Sequence, residues 1–211
     1  MAKVDKRTYV YVDGFGLYYR AVKNTPYKWL DLKALCGQLL QPINKIEAIK
    51  YFTAIVSGKF DPRQPTRQQT YIRALREYIP EISVYYGQFL SHVKPRPLAE
   101  SWPEKQFVNI IDTEEKGSDV NLAVHLLNDA WLDKYDCAVI ISNDSDLAEA
   151  VKMVREDRGK VVGLFTFENC HPSKELIKLT HFVRKIRQGV LATSQLPDPI
   201  PGTNIRKPEV W

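Results

Sequence analysis

Apolar positions along this chain fall into two alternating rhythms. Residues 8–12 (TYVYV) are β-branched and aromatic and stop at Asp13-Gly14, the pattern of a buried strand entering a turn. Residues 32–40 take helical spacing, with Asp31 as the N-cap. A second strand is expected within 46–56, centred on 48–54, and a basic, proline-containing loop over 58–65. Tyr71, Ala74, Leu75 and Tyr78 give 67–78 a helical face. Residues 82–89 read as a third strand. Residues 90–105 hold three prolines and no clear period, so a long loop is expected there. Residues 107–111 read as a fourth strand. Leu122, Ala123, Leu126, Leu127 and Ala130 line one face of a helix over 118–132. Residues 137–141 are five apolar residues in a row, as in a strand buried on both faces. A helix over 146–157, a sixth strand over 161–167 and shorter helical pieces from Ser173 complete the order.

Strands and helices alternate throughout. That predicts an α/β fold with a mostly parallel central sheet covered by helices on both sides. One domain is expected over residues 1–190. A proline-containing C-terminal tail, 191–211, follows; four prolines and weak periodicity from Gln195 onward predict an extended or disordered segment. In parallel sheets, ligands bind beyond the carboxyl ends of the strands. Function is therefore sought in the residues that follow each strand.

Those residues are acidic. The first strand ends at Asp13. The fourth is followed by Asp112, Glu114, Glu115 and Asp119. The fifth ends in Ser142-Asn143-Asp144-Ser145-Asp146. Carboxylates gathered at one sheet edge repel each other, and a divalent cation is the usual compensation. Mg²⁺ and Mn²⁺ prefer such oxygen ligands and can polarise a phosphoryl oxygen. Taken singly, each acid has an ordinary explanation. Asp146 followed by Glu149 is a capping pattern, Asp119 suits the first turn of a helix, Asp13 before Gly14 suits a turn, and Glu114 and Glu115 suit a solvated face. The joint placement carries the inference.

Charge sharpens it. The net charge is +5, so an acidic centre sits in a basic chain, which suits a polyanionic, phosphodiester-containing partner. Lys59, Arg63, Arg67, Lys94 and Arg96 are candidates to neutralise phosphates, and Tyr18 and Tyr19 to stack a base. The three cysteines are widely spaced and form no C-x-x-C pair, which argues against a disulfide framework or a zinc site and for a reducing compartment. No apolar run reaches the length of a membrane helix, so the expected setting is cytoplasmic. A homo-oligomer is compatible with the sequence, and nothing in it fixes the oligomeric state.

Three segments are more specific than any one acid. Tyr11-Val-Asp-Gly-Phe-Gly-Leu-Tyr-Tyr19, Glu114-Glu-Lys-Gly-Ser-Asp-Val-Asn-Leu-Ala-Val-His125 and Val139-Ile-Ile-Ser-Asn-Asp-Ser-Asp-Leu147 closely resemble, in order, the signature segments of the NYN domain family in the PIN-like ribonuclease superfamily. The resemblance implies a three-layer α/β/α PIN-like domain and metal-dependent hydrolysis of phosphodiester bonds, mainly in single-stranded RNA. Residue by residue, it implies that Asp13, Asp119, Asp144 and Asp146 hold Mg²⁺ or Mn²⁺ and serve catalysis. Lys116 falls on the family's lysine. Asn143, inside the last segment, is a candidate to position substrate with Arg63, Arg67 and Tyr18.

One position departs from the family pattern. Gly16 stands where an asparagine is usual, which supports an alternative: a weakly active or inactive domain that binds RNA without cutting it. His125 stands where many relatives carry an acid, and a partly buried structural histidine is the favoured reading. A haloacid dehalogenase-type phosphatase ranks lower, because Phe15 occupies the place of its second aspartate. A Rossmann dinucleotide site is disfavoured because Gly14-Phe-Gly16 lacks the third glycine.

Overall fold

The computed structural model describes residues 5–59, 61–99, 106–168 and 170–211. Its centre is a six-stranded sheet in the order β3-β2-β1-β6-β7-β8, built from β1 (Lys6–Asp13), β2 (Asn44–Thr53), β3 (Ile82–Tyr86), β6 (Cys137–Ile141), β7 (Val161–Phe167) and β8 (Phe182–Ile186). Every pairing in it is parallel. The chain winds outward from β1 in one direction, returns, and winds outward from β6 in the other. The crevice between β1 and β6 is thus the topological switch point, where parallel sheets of this kind bind their ligands.

Alternate residues of the central strands feed two cores. On one face Val10, Val12, Val139 and Ile141 pack with Leu32, Leu35 and Cys36 of α2 (Leu32–Leu39) and Ala74 and Leu75 of α3 (Gln64–Tyr78). On the other, Tyr11, Ala138 and Ile140 pack with Leu122, Leu126 and Ala130 of α4 (Ser118–Trp131) and Val151 and Val154 of α5 (Ala148–Glu156). The result is the three-layer α/β/α arrangement of a PIN-like domain. Short helices α1 (Gly14–Leu17), α6 (Lys174–Leu179) and α7 (Gln188–Thr193) fill the edges. No described helix is long and apolar enough to cross a membrane.

Four expectations are corrected. The expected third strand ends early, at Tyr86. The expected loop over 90–105 is instead mostly β4 (Gln88–Pro97), paired antiparallel with β5 (Phe107–Lys116); its residues 100–105 lie outside the described residues. The ribbon tolerates Pro95 and Pro97 because a two-stranded ladder leaves one side of each strand unpaired. The expected fourth strand therefore lies in this ribbon and not in the central sheet, and Asp112, Glu114 and Glu115 are strand residues within it. Finally, β8 escapes the periodicity reading: it is a five-residue edge strand carrying Arg184 and Lys185, with the charges typical of a protected edge.

The first residues of the expected tail, 191–193, belong to α7, and from Gln195 the chain is extended and packed. Leu196, Ile200 and Ile205 join the first core, and Trp211 meets Trp29 and Tyr71 edge-on with ring centroids 5.6 Å apart. Apolar burial of this kind fixes a segment that has no helical or strand period of its own.

Candidate active site

The ends of β1 and β6 are stitched together by one serine. Asp13, nearly buried at the end of β1, accepts the Gly16 N–H at 2.7 Å through Oδ1, capping α1, and the Ser142 hydroxyl at 2.9 Å through Oδ2. Ser142 Oγ in turn accepts the Asp144 N–H at 3.1 Å. Asp144 caps the 3₁₀ turn Ser145–Leu147 by accepting the Asp146 N–H at 3.0 Å. Opposite them, Gly117 opens α4 at φ 94°, a left-handed conformation that favours glycine. Glu115 then accepts both the Ser118 N–H at 3.1 Å and the Ser118 hydroxyl at 2.6 Å. That clamp sets Asp119 in the first turn, facing the crevice. Phe89 of the ribbon rests edge-on against Phe15 of α1, 5.2 Å between centroids, so β4 and β5 overhang the same opening.

Asp13, Gly16, Arg20, Glu115, Asp119, Asn143 and Asp144 line one open cleft. Its electrostatics are unbalanced. Burial and then the negative charges of Asp13, Asp144, Glu115 and Asp146 push the Asp119 carboxyl up to about 7. Burial also raises Asp13, against the opposing hydrogen bonds from Gly16 and Ser142. Among the described residues, no three Asp, Glu, His or Cys side chains stand close enough to enclose an ion by themselves.

The other expected site residues are distributed unevenly. Asp146 is exposed in the 3₁₀ turn, within electrostatic reach of Asp119 but outside the lining of the cleft. Asn143 reaches the cleft, yet its amide is used to pin the next loop: Nδ2 donates to His171 O at 2.9 Å and Oδ1 accepts from Ser173 N at 2.6 Å. Lys116 is exposed on the ribbon and pairs with Glu114 at 3.2 Å. Arg63 is exposed at the start of α3. Arg67 pairs with Asp61 and, with Tyr18, lines a separate cavity behind α1. Tyr18 opens a π-helical turn, Tyr18–Val22. His125 packs at a tilt against Tyr85, 4.0 Å between centroids, as a structural histidine would.

Three contributors went unassigned by sequence reasoning. Glu115 is a clamp and not a solvated face. Ser142 bridges two strand ends, and Arg20 is a cation of the cleft. Glu115 lies three residues before the Ser118 N–H it accepts, on the far side of Gly117, and that spacing was the available signal. Ser142 and Arg20 gave none, because both act across the fold.

Gly16 has a steric explanation. A Cβ placed there would lie 2.1 Å from Asp13 Oδ2, so the glycine allows Asp13 to turn inward as a cap. Gly16→Asn is expected to force Asp13 off that position and to cost about 1–3 kcal/mol through lost capping and overpacking. Thermal unfolding checks this; a Tm within about 1 °C of the parent would refute the steric account.

Comparison with known proteins places the chain in a family. The NYN domain model matches residues 7–186. A relative named 6-hydroxy-3-succinoylpyridine 3-monooxygenase HspA, from Pseudomonas putida, is 34% identical over 97% of this chain and 75% of its own length. A crystal structure of a Vibrio parahaemolyticus protein of unknown function superposes with TM-score 0.57 over 89% of this chain and 97% of that one; at 16% identity it speaks to the fold alone. With the signature segments meeting at the β1/β6 crevice and the family model spanning most of the sequence, the chain belongs to the NYN domain family.

Proposed function

We propose that this protein is a metal-dependent nuclease that hydrolyses phosphodiester bonds in single-stranded RNA. The observation that carries the reading is the meeting of Asp13, Asp119 and Asp144, from three separate elements, at the switch point of the sheet. The donor set fits a hard divalent cation. It is all carboxylate oxygen, and burial, followed by the charges of its acidic neighbours, holds Asp119 far above its ordinary value. The side chains do not enclose an ion, which suits Mg²⁺ or Mn²⁺, held through one or two carboxylates with water completing the shell. Asp119 and Asp144 would hold it directly, with Asp13 and Asp146 reaching it through water. When bound, it would supply positive charge to the phosphoryl oxygens and a more acidic water.

The chain's own residues do the positioning. Gly16 and Ser142 lock Asp13, and Glu115 locks the start of α4. Arg20 offers a cation at the cleft for a backbone phosphate, and Arg63 and Lys116 are exposed cations that could add to it. The ribbon covers one side, where Phe89 meets Phe15. Three unpaired cysteines suit a reducing, cytoplasmic setting. The test is cleavage of a labelled single-stranded RNA with Mn²⁺ and with EDTA. Cutting that requires the metal is expected. Binding without cutting under either condition would replace the reading with an RNA-binding module.

A second reading follows the Pseudomonas putida relative, whose name describes oxygenation of a hydroxypyridine bearing a succinoyl arm. The ring-walled cavity behind α1 favours action on a small aromatic acid. A monooxygenase must draw two electrons from a donor. Oxygen uptake with that pyridine and a reduced nicotinamide, measured beside the RNA assay, separates the two readings.

A further inference from the structure

Behind α1, away from the acids, the fold encloses a cavity of about 90 Å³ that opens to solvent. Its walls are rings and aliphatic groups brought from distant parts of the chain: Tyr18 of the π-helical turn, Leu30, Tyr71 of α3 and Trp211 of the tail. Its polar side is cationic, formed by Lys28 and Arg67. Tyr71 spends its hydroxyl on Leu30 O at 2.8 Å and so presents its ring as wall. Lys28 Nζ reaches the Trp211 carbonyl at 2.7 Å, which holds the tail across the opening. Arg67 commits one guanidinium nitrogen to Asp61; its other nitrogens have no partner among the described residues. Lys28 is lowered from its ordinary value, first by burial and then by the charges of Arg67 and Lys207, so the two cations of the cavity repel one another.

We propose that this cavity is a binding site for a single planar aromatic ring that carries an anionic group, the ring lying among Tyr18, Tyr71 and Trp211 and the anion meeting Arg67 and Lys28. Each half of the site selects one half of the ligand. Aromatic walls favour stacked or edge-on rings over aliphatic chains. A guanidinium with spare donors, beside a second cation, favours a carboxylate or a phosphate. The volume limits the ligand to one ring seated partly in the opening: a cavity of roughly 150 Å³ takes up benzene whole, so this one, at about 90 Å³, receives one edge of a single ring and is overfilled by a fused system. Phe15 and Tyr19 line both this cavity and the acidic cleft, so a ring seated here is next to whatever occupies the cleft.

The shared chemistry has two sources, a pyrimidine nucleotide of an RNA chain or a free pyridine carboxylate. The site is independent of the proposed metal, so the test is run on the full chain in EDTA, where failure of the nuclease reading leaves it intact. Isothermal titration compares uridine monophosphate with uridine, and nicotinate with pyridine. At least one anion is expected to bind, at least about tenfold more tightly than its neutral counterpart, as charge-assisted hydrogen bonds require. The tighter of the two anions identifies the source. Arg67→Met is expected to weaken that binding about tenfold or more. Val56 also lines the cavity, and Val56→Phe, which fills it while leaving both cations in the chain, is expected to abolish binding. Circular dichroism checks that both variants fold. The proposal is overturned if neither anion binds below about 10 mM, if the neutral rings bind equally well, or if Arg67→Met and Val56→Phe both leave the affinity unchanged.

Discussion

Asp119→Asn is expected to remove metal-dependent cleavage and, in the same molecule, to make the metal-free fold more stable. The two effects share one cause. The Asp119 carboxyl is held near 7 by burial and by four acidic neighbours, so its ionised form is opposed by the folded state. For an acid whose folded pKa is raised, stability is full below the unfolded value and is lost as pH rises through the folded one. Asparagine carries no such loss. The variant's advantage should therefore be small near pH 4 and largest near pH 8. After discounting for solvent screening it amounts to about 1 kcal/mol, a rise of roughly 2–4 °C in Tm. Added Mn²⁺ should raise the Tm of the parent and leave the variant nearly unchanged, since a ligand that binds only the native state stabilises it. Cleavage should fall by more than about a hundredfold, because a metal held by the wrong ligand set forfeits several kcal/mol of charge stabilisation. Asp144→Asn is the companion: asparagine caps the 3₁₀ turn as well as aspartate does, so cleavage should be lost with little change in Tm. An Asp119→Asn protein that cuts RNA at the parental rate, or that melts lower at pH 8, would refute the shared cause.

The acids were legible in the sequence because each follows a strand that announces itself locally. TYVYV ends at Asp13, and CAVII runs into Asp144, so placing them at one sheet edge needed only the parallel topology. The ribbon was not legible for the opposite reason. Its strands alternate between an apolar face with Val93, Ile111 and Phe107 and a face of ion pairs among Lys94, Arg96, Asp112 and Glu114. Both faces are largely exposed, and prolines interrupt the period. The cavity behind α1 was hidden more deeply. Tyr18, Tyr71 and Trp211 meet only after the tail folds back, and no local spacing encodes that. Tyr18 was expected to stack a base and Arg67 to meet phosphate at the cleft; both instead line that cavity.

A further polar cluster fixes the element that presents Asp119, and its signal was a lysine inside an apolar strand. Lys50 of β2 and Asp129 of α4 form an ion pair on the core side of that helix; Asp129 is fully buried. Asp129 also accepts from the Tyr11 hydroxyl at 2.8 Å and from Lys134 at 3.1 Å. Burial pushes its carboxyl up, but the hydrogen bonds from Lys50 and Tyr11 together prevail, and the net shift is downward. A depressed acid contributes stability above its unfolded value, about 3.9, and loses it only as pH falls through the lower folded value. At neutral pH the pair is therefore fully in force. Asp129→Asn leaves the Lys50 ammonium buried without its counter-charge, and is expected to cost about 3–5 kcal/mol, roughly 6–20 °C in Tm for a chain of this size. Lys50→Met with Asp129→Leu removes both charges and should recover most of that loss. Asp119 lies ten residues before Asp129, about 15 Å along the helix, so loosening the anchor lets the start of α4 shift relative to β1. The single variant should accordingly lose Mn²⁺-induced stabilisation along with its Tm, and the double variant should regain both. A single variant within about 1 kcal/mol of the parent would show that the helix is held by its apolar face alone, by Leu122, Leu126 and Ala130.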